Sequence, residues 1–336
     1  MLLLRDADVE RAVLGDGALK RAIDIIEQSF AAVASGEATV GARQEIFSPP
    51  GSNPSTQVAS LATSWAIIPS LGLSGGRLLC QGVNAVVPAD AHAQWTVLFD
   101  IKTTDIAAFI ETRSVHKYMV GSSAAVGTRW LSRADSHTVG LIGSGGMARA
   151  CLRSICAVRS ITSVRIFSPN REHRERLAAE CREMLGIDVE AAPSAEAAVR
   201  EADIVCTATT NEARRHEPSV YKAEWLKPGT HVTSIGDWEV DEASILHGTI
   251  FPASADQARR PRWEPLGGMM ERGEMSLDKL GTPVSELVQQ QRSGRTSDDQ
   301  LTVYLSASIA THNVALAAWV LREAQTQGIG HTWELD

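Results

Sequence analysis

The sequence predicts an α/β protein of two domains, one a doubly wound parallel sheet and the other a smaller α+β domain. Three observations carry this. Strand-like apolar runs alternate with helical patterns from Thr138 onward. The glycine-rich turn Gly143-Ser144-Gly145-Gly146-Met147-Ala148 follows the first of those runs directly and opens a helix. The length, 336 residues, exceeds the commonest single-domain size and suits two cores.

From Asp8 to Ala34, Ala12, Val13, Ala22, Ile23, Ile26 and Phe30 recur at helical spacing with charges between them, an amphipathic helix pair or one broken helix. Residues 36 to 56 are rich in Gly, Pro and Ser. Gln57 to Ile68, Arg77 to Val83 and Trp95 to Asp100 then read as short strands of a small, mostly antiparallel sheet. The Ala-, Ser- and Gly-rich segment Ser122 to Leu131 reads as a helix. The polar stretch Ser132-Arg133-Ala134-Asp135-Ser136 after it marks a domain boundary. Beyond it, strands at Val139–Ile142, Val164–Phe167, Val189, Ile204–Thr207 and His231–Ile235 alternate with helices at 146–158, 171–185 and 194–201. Ser306 to Thr326 is long, Ala-rich and apolar with no strand after it, so it is expected to return to the first domain. The expected domains are 1–132 with 306–336, and 133–305.

Composition excludes several classes of function. A formal net charge of −8 without any dense Lys/Arg cluster argues against a nucleic-acid partner, because phosphate binding needs clustered cations. No apolar run reaches membrane-spanning length, and the opening Leu2-Leu3-Leu4 meets Arg5, Asp6 and Asp8 at once, so a signal core is not expected. Cys80, Cys151, Cys156, Cys181 and Cys206 lack Cys-x-x-Cys spacing, the usage of reduced thiols in a cytoplasmic protein without a metal site.

The glycine turn carries the chemistry. Gly143 permits the tight turn, Gly145 lets backbone approach a pyrophosphate, and Ala148 replaces the third glycine at the helix–strand contact, where a methyl still fits. Ser144, Gly146 and Met147 complete a helix start whose unpaired N–H groups and dipole favour an anion. The segment therefore reads as a Rossmann-type NAD(P)-binding βαβ unit. At the end of the second strand an acidic residue would bind the ribose 2′-hydroxyl and repel a 2′-phosphate. This chain has Ser168-Pro169-Asn170-Arg171 instead, which favours NADP(H), with NAD(H) the alternative. Arg171 can also be read as a helix-surface residue beside Glu172, His173 and Arg174. Thr207, Ala208 and Thr209 end a further strand where ribose and nicotinamide would lie. Ile235 and Gly236 end the next, which would set the Asp237 carboxylate near the reacting carbon; a surface carboxylate is the other reading.

Val97-Leu98-Phe99-Asp100, the small-residue helix, Gly143 to Ala148, Trp225-Leu226-Lys227-Pro228-Gly229-Thr230-His231 and Gly294 to Val303 occur in that order. Together they resemble the ornithine cyclodeaminase and μ-crystallin family over nearly the whole chain. The resemblance implies an amino-acid-like substrate, a first domain that binds it and a homodimer joined through first-domain sheets. It also implies that a substrate carboxylate is held by an Arg in the first third, a Lys at the start of a core strand and an Arg heading the small-residue helix. Arg43 matches the first, the Lys position carries Arg77, and the Arg-Thr pair falls on Met119-Val120. His116 and Lys117 stand a helical turn or less away, as replacement cations or as solvated residues at a helix start. The family's catalytic Asp corresponds to Asp237, which would exchange the proton on nitrogen.

These readings imply an NADP(H)-dependent reductase or dehydrogenase acting on the C=N bond of an α-imino or cyclic ketimine acid. An ornithine-type cyclodeaminase that releases ammonia is the closest rival. A non-catalytic NADP(H)-binding protein of the μ-crystallin type is the third reading, kept open by the apolar Met119.

Overall fold

The computed structural model describes residues 1–47, 58–82, 93–209, 219–236, 239–258, 265–306 and 309–334. The chain forms two compact units, Met1–Met119 with Ser308–Asp336, and Val120–Ala307. In order, the elements are β1 (Leu2–Leu4), α1 (Asp6–Val13), α2 (Ala18–Ala34), β2 (Thr39–Val40), β3 (Gln44–Phe47), β4 (Val58–Ile68), β5 (Leu73–Gly82), β6 (Ala93–Asp100), β7 (Ile106–Glu111) and α3 (Arg113–Leu131). There follow β8 (Thr138–Ile142), α4 (Gly146–Cys156), β9 (Ser163–Phe167), α5 (Arg171–Leu185), β10 (Asp188–Ala191), α6 (Ala195–Val199), β11 (Ile204–Thr207) and β12 (His231–Ser234). The chain ends with α7 (Glu242–His247), β13 (Thr249–Phe251), α8 (Ala255–Ala258), α9 (Leu266–Glu271), α10 (Val284–Gln290), β14 (Thr302–Leu305), α11 (Ala310–Gln327) and β15 (His331–Thr332).

In the first unit the strands lie in the order β15-β1-β7-β6-β5-β4-β2, with β3 also on β4; among the described residues only the β1–β7 pairing is parallel. Alternate residues of a strand face opposite sides. Ala62, Ala66, Ile68, Leu79, Leu98, Ala108 and Ile110 are buried, and α11 packs on β4, β5 and β6 and against α1 and α2. The 8–34 segment is a helix pair, broken at Gly17, whose left-handed φ of 81° admits the turn into α2. The C-terminal helix α11 lies in the first unit. A two-residue strand that the sequence pattern does not reveal follows it and pairs with β1.

The second unit is a parallel sheet in the order β10-β9-β8-β11-β12-β14-β13, every pairing parallel. From β8 the chain runs outward through β9 to β10 and then crosses back to β11 on the other side of β8, so the ends of β8 and β11 flank the point where such sheets bind ligands. Helix α3 begins at Arg113, well before the expected Ser122, with Arg113 and Lys117 exposed and Val115 and Met119 buried in its first turns. The units divide within α3, at 119/120, whereas the expected boundary at 132/133 falls at its end. Its small residues are there for contact: a Cβ on Gly121 would lie 2.7 Å from Ala150 O on α4. Among the described residues no helix is long and apolar enough to cross a membrane.

Candidate functional site

The βαβ turn is built as its residues dictate. Gly143 takes φ +125° at the end of β8, and a Cβ there would stand 2.2 Å from Ala208 O. Only glycine is compatible with that conformation and that approach. Its N–H is held by Phe167 O at 2.8 Å, and Ala208 N donates to Ile142 O at 2.8 Å. Gly145 precedes α4 with no side-chain cap, and nothing within 4 Å of an added Cβ. Gly146 opens the helix, Met147 is half-buried and Ala148 is buried, its methyl 3.5 Å from the position of a Gly143 Cβ. An open, uncapped N-terminus beside a backbone that glycine brings close fits the pyrophosphate of a dinucleotide.

At the end of β9, Ser144 Oγ donates to Ser168 Oγ at 2.8 Å, tying the glycine turn to the loop after β9. Asn170 caps α5 by accepting from His173 N at 3.0 Å. Arg171, the sequence candidate, projects into solvent and pairs with Glu175 at 2.7 Å, one helical turn on. The guanidinium aimed at the strand end is that of Arg174. It donates to Ser168 O at 2.9 Å and lies 5.5 Å over the Phe167 ring. Sequence reading passed over it as one of several charges on a helix surface.

Past β11 and β12 a buried polar network forms. Thr207 Oγ1 donates to Ser234 Oγ at 2.9 Å, and Ser234 Oγ donates to Gly236 O at 2.6 Å. Ile235 N donates to Thr207 O at 3.0 Å. Glu239, which sequence reading missed, closes the network. It is 2% exposed and accepts from Thr209 N at 2.6 Å, from Thr209 Oγ1 and from Gly236 N at 3.2 Å. Burial pushes its carboxyl above the ordinary range against the pull of those bonds. Asp237 lies outside the described residues.

In the first unit, Arg77 and Thr96 are directly opposed on β5 and β6. Both are buried. Arg77 Nη2 donates to Gln94 Oε1 at 2.9 Å, and its Nε and Thr96 Oγ1 have no hydrogen-bond partner among the described residues. Desolvation and the charge of Arg43 lower the Arg77 guanidinium to about 9, so it stays cationic at neutral pH. Arg43 itself is exposed and pairs with Glu45 at 3.2 Å. A cavity of about 10 Å³, room for one water, is lined by Thr96, Thr112, Val115, His116, Met119, Asn313 and Leu316. Met119 and His116 share a helix face at i and i+3, which brings both to it. Lys117 is turned away and exposed, so the structure does not bring it there. Thr96 and Asn313 carried no sequence signal, since burial is what gives them meaning.

The description "Ornithine cyclodeaminase/mu-crystallin family" matches residues 79–328. A Rhizobium meliloti protein named as a dehydrogenase is 30% identical over 220 residues, 63% of this chain and 64% of that relative, just under two thirds of its length. A Δ1-pyrroline-2-carboxylate reductase of Bacillus cereus is 24% identical over 243 residues, 71% of this chain and 73% of the relative. In three dimensions the chain is similar to the Thermococcus litoralis Δ1-pyrroline-2-carboxylate reductase solved with NADH and L-proline. The TM-score is 0.87 at 23% identity, covering 99% of this chain and 100% of that one.

Proposed function

The chain belongs to the ornithine cyclodeaminase/mu-crystallin family, and from that membership we propose that it is an NADP(H)-dependent reductase or dehydrogenase of α-imino or cyclic ketimine acids. Arg77 carries the substrate class. A buried guanidinium with no acidic partner among the described residues is costly unless an anion meets it, and a substrate carboxylate is such an anion. The fork of Arg77 orients that carboxylate, with Arg43 adding positive field at longer range. When bound, the cofactor supplies or takes the hydride at the carbon of the C=N bond. Asp237, one residue past Gly236, exchanges the proton on nitrogen. The turn Gly143–Ala148 holds the pyrophosphate, and Thr207, Ala208, Thr209, Ile235 and Gly236 face the ribose and nicotinamide.

NADP(H) is preferred because no carboxylate stands at the end of β9. Ser144, Ser168, Asn170 and Arg174 instead offer hydroxyls, an amide and a cation to a 2′-phosphate. The molecule works as a homodimer. Ile46, Leu61, Trp65 and Ile67 form one exposed apolar face of β3 and β4, Ile46 opposite Leu61, and such a patch calls for a partner. Five free cysteines support a cytoplasmic location.

The test is turnover of Δ1-pyrroline-2-carboxylate and related imino acids with NADPH, followed at the reduced nicotinamide band. Net NADPH consumption supports the reductase. Ammonia release from a diamino acid without net cofactor change replaces it with a cyclodeaminase. Tight NADPH binding with no turnover of any imine, keto acid plus amine or diamino acid favours the non-catalytic reading, to which the apolar Met119 in place of a cation lends weight.

A further inference from the structure

We propose that Glu239 is a positioning residue of the cofactor site: its carboxyl ties the loop after β11 to the loop after β12 and sets the rim for the nicotinamide half of the dinucleotide. The inference rests on the dinucleotide reading above and assigns a role to a residue that reading does not use.

Glu239 serves more than its own turn. The backbone bond from Glu239 N to Gly236 O, 3.2 Å, already closes that turn. The side chain does something further. One carboxyl oxygen accepts from Gly236 N, and the other reaches across to Thr209, on the loop of the neighbouring strand. Thr207 and Ser234 are register partners at the ends of β11 and β12, so the carboxyl spans two adjacent strand ends. Both ends lie on the edge of the sheet where β8 delivers the glycine turn, since Thr207 also pairs with Ile142.

The held loop matters for the turn itself. Ala208 O, one residue before Thr209, is the atom against which Gly143 fits with no room for a Cβ. Moving Thr209 therefore moves the wall of the glycine turn. A buried carboxyl with no cationic partner among the described residues is an expensive way to close a loop, and its cost is explained if the geometry of both loops must be held together. The charge of Glu239 in turn helps raise the buried Cys206 thiol and Tyr221 hydroxyl, groups that supply no positive charge.

Binding of NADPH and NADH by reduced-nicotinamide fluorescence, and of ADP by calorimetry, tests this on the full chain without a known substrate. Glu239→Gln keeps the shape but replaces one acceptor oxygen by a donor. It is expected to weaken both reduced dinucleotides about tenfold and leave ADP within about twofold. Glu239→Asp, which keeps the carboxylate but is one methylene too short to span Thr209 and Gly236, is expected to weaken the dinucleotides about threefold in the same pattern, and carries the test if the first variant does not fold. Unchanged dinucleotide binding in both variants, or an equal loss for ADP, overturns the proposal. Wild-type protein that binds ADP or nothing, but no dinucleotide, overturns the cofactor reading and takes this proposal with it.

Discussion

Asp203, just before β11, has a carboxylate that is 1% exposed and yet faces two cations. Arg133 Nη2 donates to it at 2.7 Å and Lys227 Nζ lies 2.9 Å away. His137 N, Thr138 N and Thr138 Oγ1 donate at 3.0, 3.0 and 2.8 Å. Asp203→Asn keeps the shape and leaves both cations opposite an amide. Breaking a buried ion pair costs about 3–5 kcal/mol when the surviving charge is sealed in. Here the Arg133 and Lys227 side chains keep 19% and 31% of their exposure, and Arg133 still has Gly229 O, so the lower end, about 3 kcal/mol, is expected. Burial by itself would raise the carboxyl, but the bonds from His137, Lys227 and Thr138 outweigh it and hold it well below the usual carboxylate range. A carboxylate depressed in the folded state contributes stability that is fully present above its unfolded pKa of about 3.9 and fades as pH falls toward the folded value. Urea melts of wild type and variant should therefore differ by about 3 kcal/mol at neutral pH, with the gap narrowing below about pH 4. No gap at neutral pH, or one that stays constant in acid, would refute the reasoning.

Three further outcomes are expected. Gly143→Ala forces a Cβ 2.2 Å from Ala208 O at φ +125°, and should weaken NADPH binding at least about a hundredfold; affinity like wild type would show that the turn does not hold the pyrophosphate. Arg174→Ala should lower the NADPH-over-NADH preference about tenfold, measured as the ratio of dissociation constants, whereas Arg171→Ala should leave it within about twofold; the opposite order would return the role to Arg171. Trp65→Asp on the exposed apolar face should turn a dimer into a monomer in sedimentation, and a wild-type protein that is already monomeric would discard that interface.

Where local chemistry alone decides conformation, the fold was legible. Strand, glycine turn and helix at 138–156 follow from neighbouring residues, and the alternation of elements yields a parallel sheet. What stayed hidden depends on tertiary surroundings. The first turns of α3 were missed because Arg113, Ser114, His116 and Lys117 read as solvated residues, and Met119 through Thr128, buried on every side, show no polar stripe to mark the period of the helix. β15 is two residues long and exists because β1 offers it an edge. Arg171 and Arg174 are indistinguishable as letters; one turn of helix sends the first to Glu175 and the second back to Ser168. Glu239 was passed over because a Glu after a strand is ordinarily solvated, and its burial against Thr209 and Gly236 exists only in the folded chain. Arg77 was identified by resemblance, but its burial opposite Thr96 needed the sheet register.

The return of α11 to the N-terminal sheet also orders events in time. The first unit is written at both ends of the chain, whereas the second is one continuous stretch from Val120 to Ala307. During synthesis the nucleotide-binding sheet can close while the N-terminal strands still lack the helix that covers β4, β5 and β6. Those strands wait, apolar side uncovered, until Ala310–Gln327 has left the ribosome. A chain cut before α11 would therefore fail in its first domain, far along the sequence from the cut, and would aggregate through strands made more than two hundred residues earlier.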